Sequence, residues 1–159
     1  MLDRRARSHI ERELDQIARL MRDYSELLAM ADDKEPELIA RTALGAVLQS
    51  FYNGVESIFQ IVAKRIDEDV PVGADWHRRL LAQMARVTSA RPPLITSVTA
   101  DHLEAYLGFR HLARHTYSFT LDWTRMAGLV RDLASVWAEF RADIQAFLDR
   151  QEAPKHTNA

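Results

Sequence analysis

The chain contains no cysteine, and glycine and proline each occur only five times in 159 residues. Without cysteine there is no disulfide framework, no cysteine-ligated metal site and no thiol nucleophile. So little glycine and proline favours a few long regular elements, because these residues mark most turns. No run approaches the ~18 apolar residues of a membrane span. Residues 1–5 lead into a charged helical pattern with no apolar signal region, so we expect a cytoplasmic protein.

Lysine is also scarce, because the basic residues other than Lys34, Lys64 and Lys155 are arginines. The net charge is −2, so bulk charge does not attract a polyanion and a nucleic-acid role would require a local basic patch. Arginine suits that role because its planar fork matches phosphate oxygens. On composition alone, codon bias in a GC-rich genome accounts for the arginine excess.

Apolar residues recur at spacings of three and four along most of the chain, which is the pattern of amphipathic helices. The spacing predicts helices over about 4–31, 37–68 and 76–87, a fourth from Thr99 or Asp101 to about Tyr117, and a last one beginning after Asp122. No alternation typical of strands is visible. The sequence therefore predicts an all-α fold, an antiparallel up-and-down helical bundle of four to five helices.

The predicted helix ends carry residues suited to capping. Asp75 and Asp122 precede the third and last helices, and Glu104 is placed to complete a capping box with Asp101. The paired carboxylates at 32–33 and 67–69 are interpreted as solvated turns. We expect one helical domain over residues 1–152, followed by a disordered polar tail over 153–159.

The candidate site is the stretch 106–117, which holds two arginines, two histidines and two tyrosines near the end of the fourth predicted helix. On an unbroken helix Arg110, Arg114 and Tyr117 share one face, and His111 and His115 share another. Arg110 and His115 would then diverge by roughly 140°. They could act on one phosphate only if the helix frays near His115, or if two chains bring their stretches together.

Three interpretations of this stretch remain open. In the first, the stretch is a polar network with a purely structural role. In the second, His111 and His115 bind a metal ion, although no third ligand accompanies them. The third interpretation is RNA cleavage without a metal ion. A histidine can take the proton of the 2′-hydroxyl or protonate the leaving oxygen, and an arginine can stabilise the charge on the phosphate.

Other residues are weaker candidates. Asn53 and Glu56 form either a polar pair supporting the site or a plain buried hydrogen bond. Arg78, Arg79 and Arg114 are candidates for phosphate contacts, although such arginines often face water. The aromatic residues are interpreted as core rather than as RNA-stacking platforms: Tyr52, Trp76, Trp123 and Trp137.

The stretch 110–115 resembles a known signature: arginine, a polar residue, three variable residues and histidine, as in HEPN-domain ribonucleases. Thr116 and Tyr117 extend it to the R-x4-H-x-Y form found in HepT-like toxins. The stretches 51–56, 75–81 and 117–123 resemble further motifs of the same branch, in the same order. The resemblance covers nearly the whole chain.

The resemblance implies a ribonuclease toxin that acts as a homodimer, with the two signature stretches lining a shared RNA cleft. Arg110 and His115 would be the catalytic pair and His111 the polar helper, and no metal or other cofactor would be needed. The implied partner is an MNT-type nucleotidyltransferase antitoxin that transfers AMP to Tyr117. The alternative is a non-catalytic helical subunit that binds nucleotide or substrate for such a transferase.

Overall fold

The computed structural model describes residues 2–31, 34–117 and 120–152, and every regular element in these ranges is helical. The all-α helical bundle predicted from the sequence is confirmed. The described ranges hold six α-helices: α1 (Arg4–Asp23), α2 (Ser25–Met30), α3 (Leu38–Val62), α4 (Trp76–Met84), α5 (Ser97–Arg114) and α6 (Trp123–Glu152). None of these helices is long and apolar enough to cross a membrane. The predicted tail over 153–159 lies outside the described residues.

The bundle is organised around α3, which packs against α1, α4, α5 and α6. Its apolar residues recur at three- and four-residue spacing and form a buried face, in which Phe51, Val55 and Phe59 are fully buried. Burying a side chain of this size contributes about 1.5–3 kcal/mol relative to leaving it exposed. Phe51 also meets Tyr106 of α5 edge to face, with ring centroids 5.4 Å apart. This apolar contact joins the two helices that carry most of the candidate site.

The first predicted helix, over about 4–31, is two helices in the structure. The break lies at Tyr24, whose φ of −105° and ψ of 13° depart from helical values. Tyr24 and Leu28 continue the apolar spacing of α1, so periodicity alone does not detect the break. The short α2 contains no fully buried residue.

The second predicted helix, over about 37–68, is α3 followed by one π-helical turn, Ala63–Asp67. The turn ends at Glu68, which has a positive φ of 52°. The interpretation of 67–69 as solvated carboxylates was wrong for Asp67. Its Oδ2 accepts from Arg91 Nη2 at 2.7 Å and from Gln83 Nε2 at 2.8 Å, and both members of the ion pair are buried. The carboxylates at 32–33 lie outside the described residues.

Of the residues predicted to cap helices, Asp122 does so in the structure, whereas Asp75 and Asp101 do not. Asp122 accepts from the backbone N–H of Thr124 at 3.0 Å at the start of α6, as expected. Asp75 makes no capping bond to α4. Helix α5 begins earlier than predicted, because Thr96 rather than Asp101 is its N-cap and accepts from the N–H of Thr99 at 3.1 Å.

Candidate functional site

An open cavity of about 460 Å³ lies between the start of α4 and the second half of α5. Its charged and titratable walls come largely from two residue types, arginine and histidine: His77, Arg78, Arg110, His111, Arg114 and His115. Asp75 is the one carboxylate among the lining residues. A cavity with three arginines and a single acid is suited to an anion such as a phosphate group.

Two side chains of α3 contact Arg110. Its Nε donates to Asn53 Oδ1 at 2.5 Å, and its Nη2 lies 3.8 Å from Glu56 Oε1. The side chain is only 13% exposed, so these contacts fix the guanidinium at the cavity wall. Arginine has five N–H donors, and these two contacts involve only Nε and Nη2. The structure therefore places Asn53 and Glu56 directly against Arg110, whose sequence position is more than fifty residues away.

His115 lies where α5 ends. The helix stops at Arg114, and His115 has a φ of −109° and a ψ of 11° as the C-cap residue. The helix was predicted to run to about Tyr117, so the earlier end is a correction. On an unbroken helix Arg110 and His115 would diverge by roughly 140°. In the structure, Arg110 and His115 of one chain line the same cavity. The rings of His111 and His115 meet edge to face with centroids 5.0 Å apart.

Among the other arginines, the structure separates Arg78 from Arg79. Arg78 lines the cavity, and its Nη1 lies 3.8 Å from Glu104 Oε1 at the surface. Arg79 is not among the residues that line the cavity, and its Nη1 donates to the carbonyl of Val72 at 2.6 Å and lies 3.5 Å from Asp75 Oδ1. Arg114 is exposed and lines the cavity with Arg78.

Tyr117 does not share a helical face with Arg110, because it lies three residues beyond the end of α5. It is 76% exposed and is not among the residues that line the cavity. The angular argument assumed a continuous helix, and that assumption was wrong. The structure leaves the side chain accessible from solvent.

His77 is a cavity residue that the sequence did not single out. Its Nδ1 lies 2.7 Å from Glu56 Oε2, and its ring stacks on Trp76 with centroids 3.6 Å apart. Glu56 is therefore shared, with one carboxylate oxygen facing His77 and the other facing Arg110. No spacing rule relates His77 to residues 110–115, since the contact depends on how α4 packs against α3 and α5.

A family comparison identifies the chain. The family model described as HepT-like protein matches residues 43–151, which is more than half of the sequence. The chain belongs to the HepT-like proteins of the HEPN superfamily. Comparisons with curated proteins and with solved structures gave no significant match. The matched range of this HepT-like protein contains every residue of the cavity, whereas α1 and α2 precede it.

Tyr52 lies beneath the site of this HepT-like protein and is completely buried. Its hydroxyl has no hydrogen-bond partner among the described residues. Burial raises the pKa of Tyr52 and the nearby Glu56 carboxylate raises it further, whereas Arg110 opposes the shift. The phenol thus stays neutral at physiological pH. Tyr52 and Trp137 are buried as predicted, while Trp76 and Trp123 are only partly buried against the core.

The described part of the chain holds no group of three or more histidine, aspartate or glutamate side chains arranged to bind a metal ion. His111 and His115 lie close together, but no third such side chain joins them there.

Proposed function

We propose that this HepT-like protein is the toxin of a toxin–antitoxin pair and that it cleaves RNA without a metal ion. The observation that supports this function is the single cavity in which Arg110 and His115 meet two further arginines and two further histidines. The arginines supply charge for the phosphate, and the histidines supply imidazole nitrogens that can accept or donate a proton.

The chemistry requires few groups. The 2′-hydroxyl of the RNA loses its proton and attacks the adjacent phosphorus, and the 5′-oxygen leaves with a proton from the protein. Arg110 neutralises the negative charge that builds up on the non-bridging oxygens. His115 is one of the proton-transferring groups, and His111 assists beside it. Arg78 and Arg114 bind neighbouring phosphates, and Asn53 and Glu56 fix Arg110.

The decisive experiment is induced expression at matched soluble protein levels, with growth and RNA integrity as the readouts. We expect wild type to arrest growth and degrade RNA, whereas Arg110→Ala and His115→Ala do neither. Loss of such groups lowers rates by about 10²–10⁴-fold. The matched controls are Arg19→Ala and His102→Ala, which remove an arginine and a histidine away from the cavity and should remain toxic.

Equal growth of all five strains would contradict the ribonuclease function if mass spectrometry also shows that the wild-type protein is unmodified. It would favour the alternative in which the arginine-lined cavity binds nucleotide or substrate for a transferase. Arrest by wild type and His115→Ala alike would remove His115 from the site. Cleavage by purified protein in excess EDTA tests the independence from metal.

We further propose regulation at Tyr117 by an MNT-type nucleotidyltransferase antitoxin in the cytoplasm, acting on a homodimer of the toxin. The exposure of Tyr117, two residues after His115, supports this role. Each added AMP brings negative charge near an arginine-lined cavity and should repel RNA. We expect Tyr117→Phe to remain toxic and to gain no AMP mass from the co-expressed transferase. If Tyr117→Phe still gained the AMP mass, the acceptor would lie elsewhere. Tyr24→Phe is the control and should still be modified.

A further inference from the structure

We propose that His77 is the general base of the site and that Glu56 positions it; this inference rests on the proposed ribonuclease function. The sequence assigned proton transfer to the stretch 110–115 alone. The structure brings a histidine of α4 into the same cavity and places a buried carboxylate behind it. The reaction needs one group to accept a proton and another to donate one, so a second histidine completes the set.

The contact between Glu56 and His77 determines which ring nitrogen carries the proton. An ionised carboxylate only accepts hydrogen bonds, so the 2.7 Å contact to Glu56 Oε2 requires a hydrogen on Nδ1 of His77. In the neutral ring, the lone pair then lies on Nε2. No described residue forms a hydrogen bond with Nε2, and the ring lines the cavity with 26% of the side chain exposed.

The surroundings of Glu56 hold this arrangement in place. The carboxylate is 7% exposed, and a buried charge is tolerated only when it is paired. His77 and Arg110 are its two partners, so the charge that fixes Arg110 also orients His77. Trp76 stacks on the imidazole and restricts its rotation. The same combination of carboxylate and histidine orients the base of the serine protease triad and stabilises the imidazolium that forms.

Nε2 of His77 takes the proton from the 2′-hydroxyl, and the 2′-oxygen forms a bond to phosphorus. The bond from phosphorus to the 5′-oxygen breaks, and protonated His115 gives its proton to that oxygen. The products are a 2′,3′-cyclic phosphate and a free 5′-hydroxyl. His77 is left protonated and His115 neutral, and exchange with solvent restores both.

A second histidine–glutamate pair in the molecule provides a matched control. Nδ1 of His102 lies 2.7 Å from Glu139 Oε2, the same separation as in the proposed dyad. This pair joins α5 to α6 outside the cavity and is more exposed, at 52% and 30% for the two side chains. A histidine–carboxylate contact by itself therefore does not imply a role in the reaction, and His102→Ala should leave cleavage unchanged.

The experiment compares two substrates with purified wild type, His77→Ala, His115→Ala and His102→Ala. The first substrate is a dinucleotide, whose 5′-oxygen needs a proton to leave. The second is a nucleoside 3′-phosphate ester of p-nitrophenol, from which p-nitrophenolate leaves without being protonated. On the dinucleotide, we expect His77→Ala and His115→Ala each to be slower by about 10²–10⁴-fold. On the p-nitrophenyl ester, His115→Ala should approach the wild-type rate, while His77→Ala stays slow.

Chemical rescue separates a base from a merely structural histidine. Adding imidazole and its methylated and halogenated derivatives to His77→Ala should restore cleavage of both substrates, with rates that rise with the basicity of the additive. Glu56→Gln should slow the wild type by a larger factor than it slows His77→Ala, because only its contact with Arg110 remains to be lost once His77 is absent. Equal slowing by Glu56→Gln in both backgrounds would mean that Glu56 acts through Arg110 alone.

Each remaining outcome is decisive. Wild-type rates for His77→Ala, a response to additive size but not basicity, or no rescue at all would overturn this inference while leaving the ribonuclease function in place. Wild type that cleaves neither substrate would overturn both proposals. If His77→Ala melts at a lower temperature than His102→Ala, His77→Gln replaces it, since its amide can still contact Glu56.

Discussion

Glu56 and Asp67 are both buried carboxylates, and in each case the partners explain why burial is tolerated. Glu56 faces His77 and Arg110 at the edge of the cavity. Asp67 faces Arg91 and Gln83 inside the bundle, and Arg91 also donates to the carbonyls of Arg86 and Pro92. The first carboxylate lies behind two residues that line the cavity, whereas the second joins the 85–96 connection to the π-helical turn.

The Asp67–Arg91 pair gives a stability prediction at the scale of single residues. Asp67→Ala should lower the free energy of unfolding by about 3–5 kcal/mol, because it leaves the Arg91 charge buried without its counterion. Urea unfolding followed by circular dichroism measures this loss. Arg19→Ala, which breaks an exposed pair with Asp23, should change stability by less than about 1 kcal/mol.

The double variant Asp67→Ala/Arg91→Met tests the cause of that loss. It should recover part of the stability, since no buried charge then remains unpaired. Equal destabilisation in the single and double variants would show that lost packing, rather than the unpaired charge, dominates.

At the scale of elements, the start of α5 is set by contacts that lie outside its apolar stripe. Thr96 is the N-cap of this helix, and Asp143 of α6 accepts from the Thr96 N–H and the Thr99 hydroxyl at 3.1 and 2.7 Å. The helix ends at Arg114, so His115 leaves the helical path beside the cavity. The position of this end decides where the signature residues lie relative to each other.

The N-cap of α5 gives a prediction for this element. Thr96→Ala should lower the free energy of unfolding by about 1 kcal/mol, because the N–H of Thr99 loses its side-chain acceptor. Asp101→Ala should be nearly neutral, because Asp101 lies inside the helix and is exposed. Denaturant midpoints measured side by side test this, and a larger effect of Asp101→Ala would contradict the assigned start.

At the scale of the whole molecule, the site forms where α3, α4 and α5 pack against one another. The three helices contribute Glu56, His77 and Arg110, which are 21 and 33 residues apart in sequence order. One chain therefore holds Arg110, His77 and His115 around one cavity. We therefore expect each chain of a dimer to act with its own set of these residues.

This arrangement gives a prediction for mixed subunits. Co-expressed Arg110→Ala and His115→Ala chains should not restore ribonuclease activity, because every cavity would lack one of the two groups. If instead Arg110 of one chain acted with His115 of another, half of the sites in a mixed dimer would be intact. The measurement is RNA cleavage by the co-purified mixed dimer, with differently tagged wild-type and Arg110→Ala chains as the positive control.

The sequence by itself determined the helical class, the approximate helices and the stretch to which the proposed chemistry is assigned. These are local properties, because apolar spacing sets which face of each helix is buried and the signature lies within six consecutive residues. Asn53 and Glu56 were also candidates from the sequence, and the structure places both against Arg110. The resemblance to HepT-like proteins agrees with the family to which the chain belongs.

Only the tertiary structure decided which residues meet. It placed Arg78 in the cavity and turned Arg79 away, buried Asp67, ended α5 before Tyr117 and brought His77 against Glu56. Periodicity gives the orientation of a side chain about its own helix but not the distance to another helix. Those distances follow from how α3, α4 and α5 pack, which depends on the apolar contacts of the whole core.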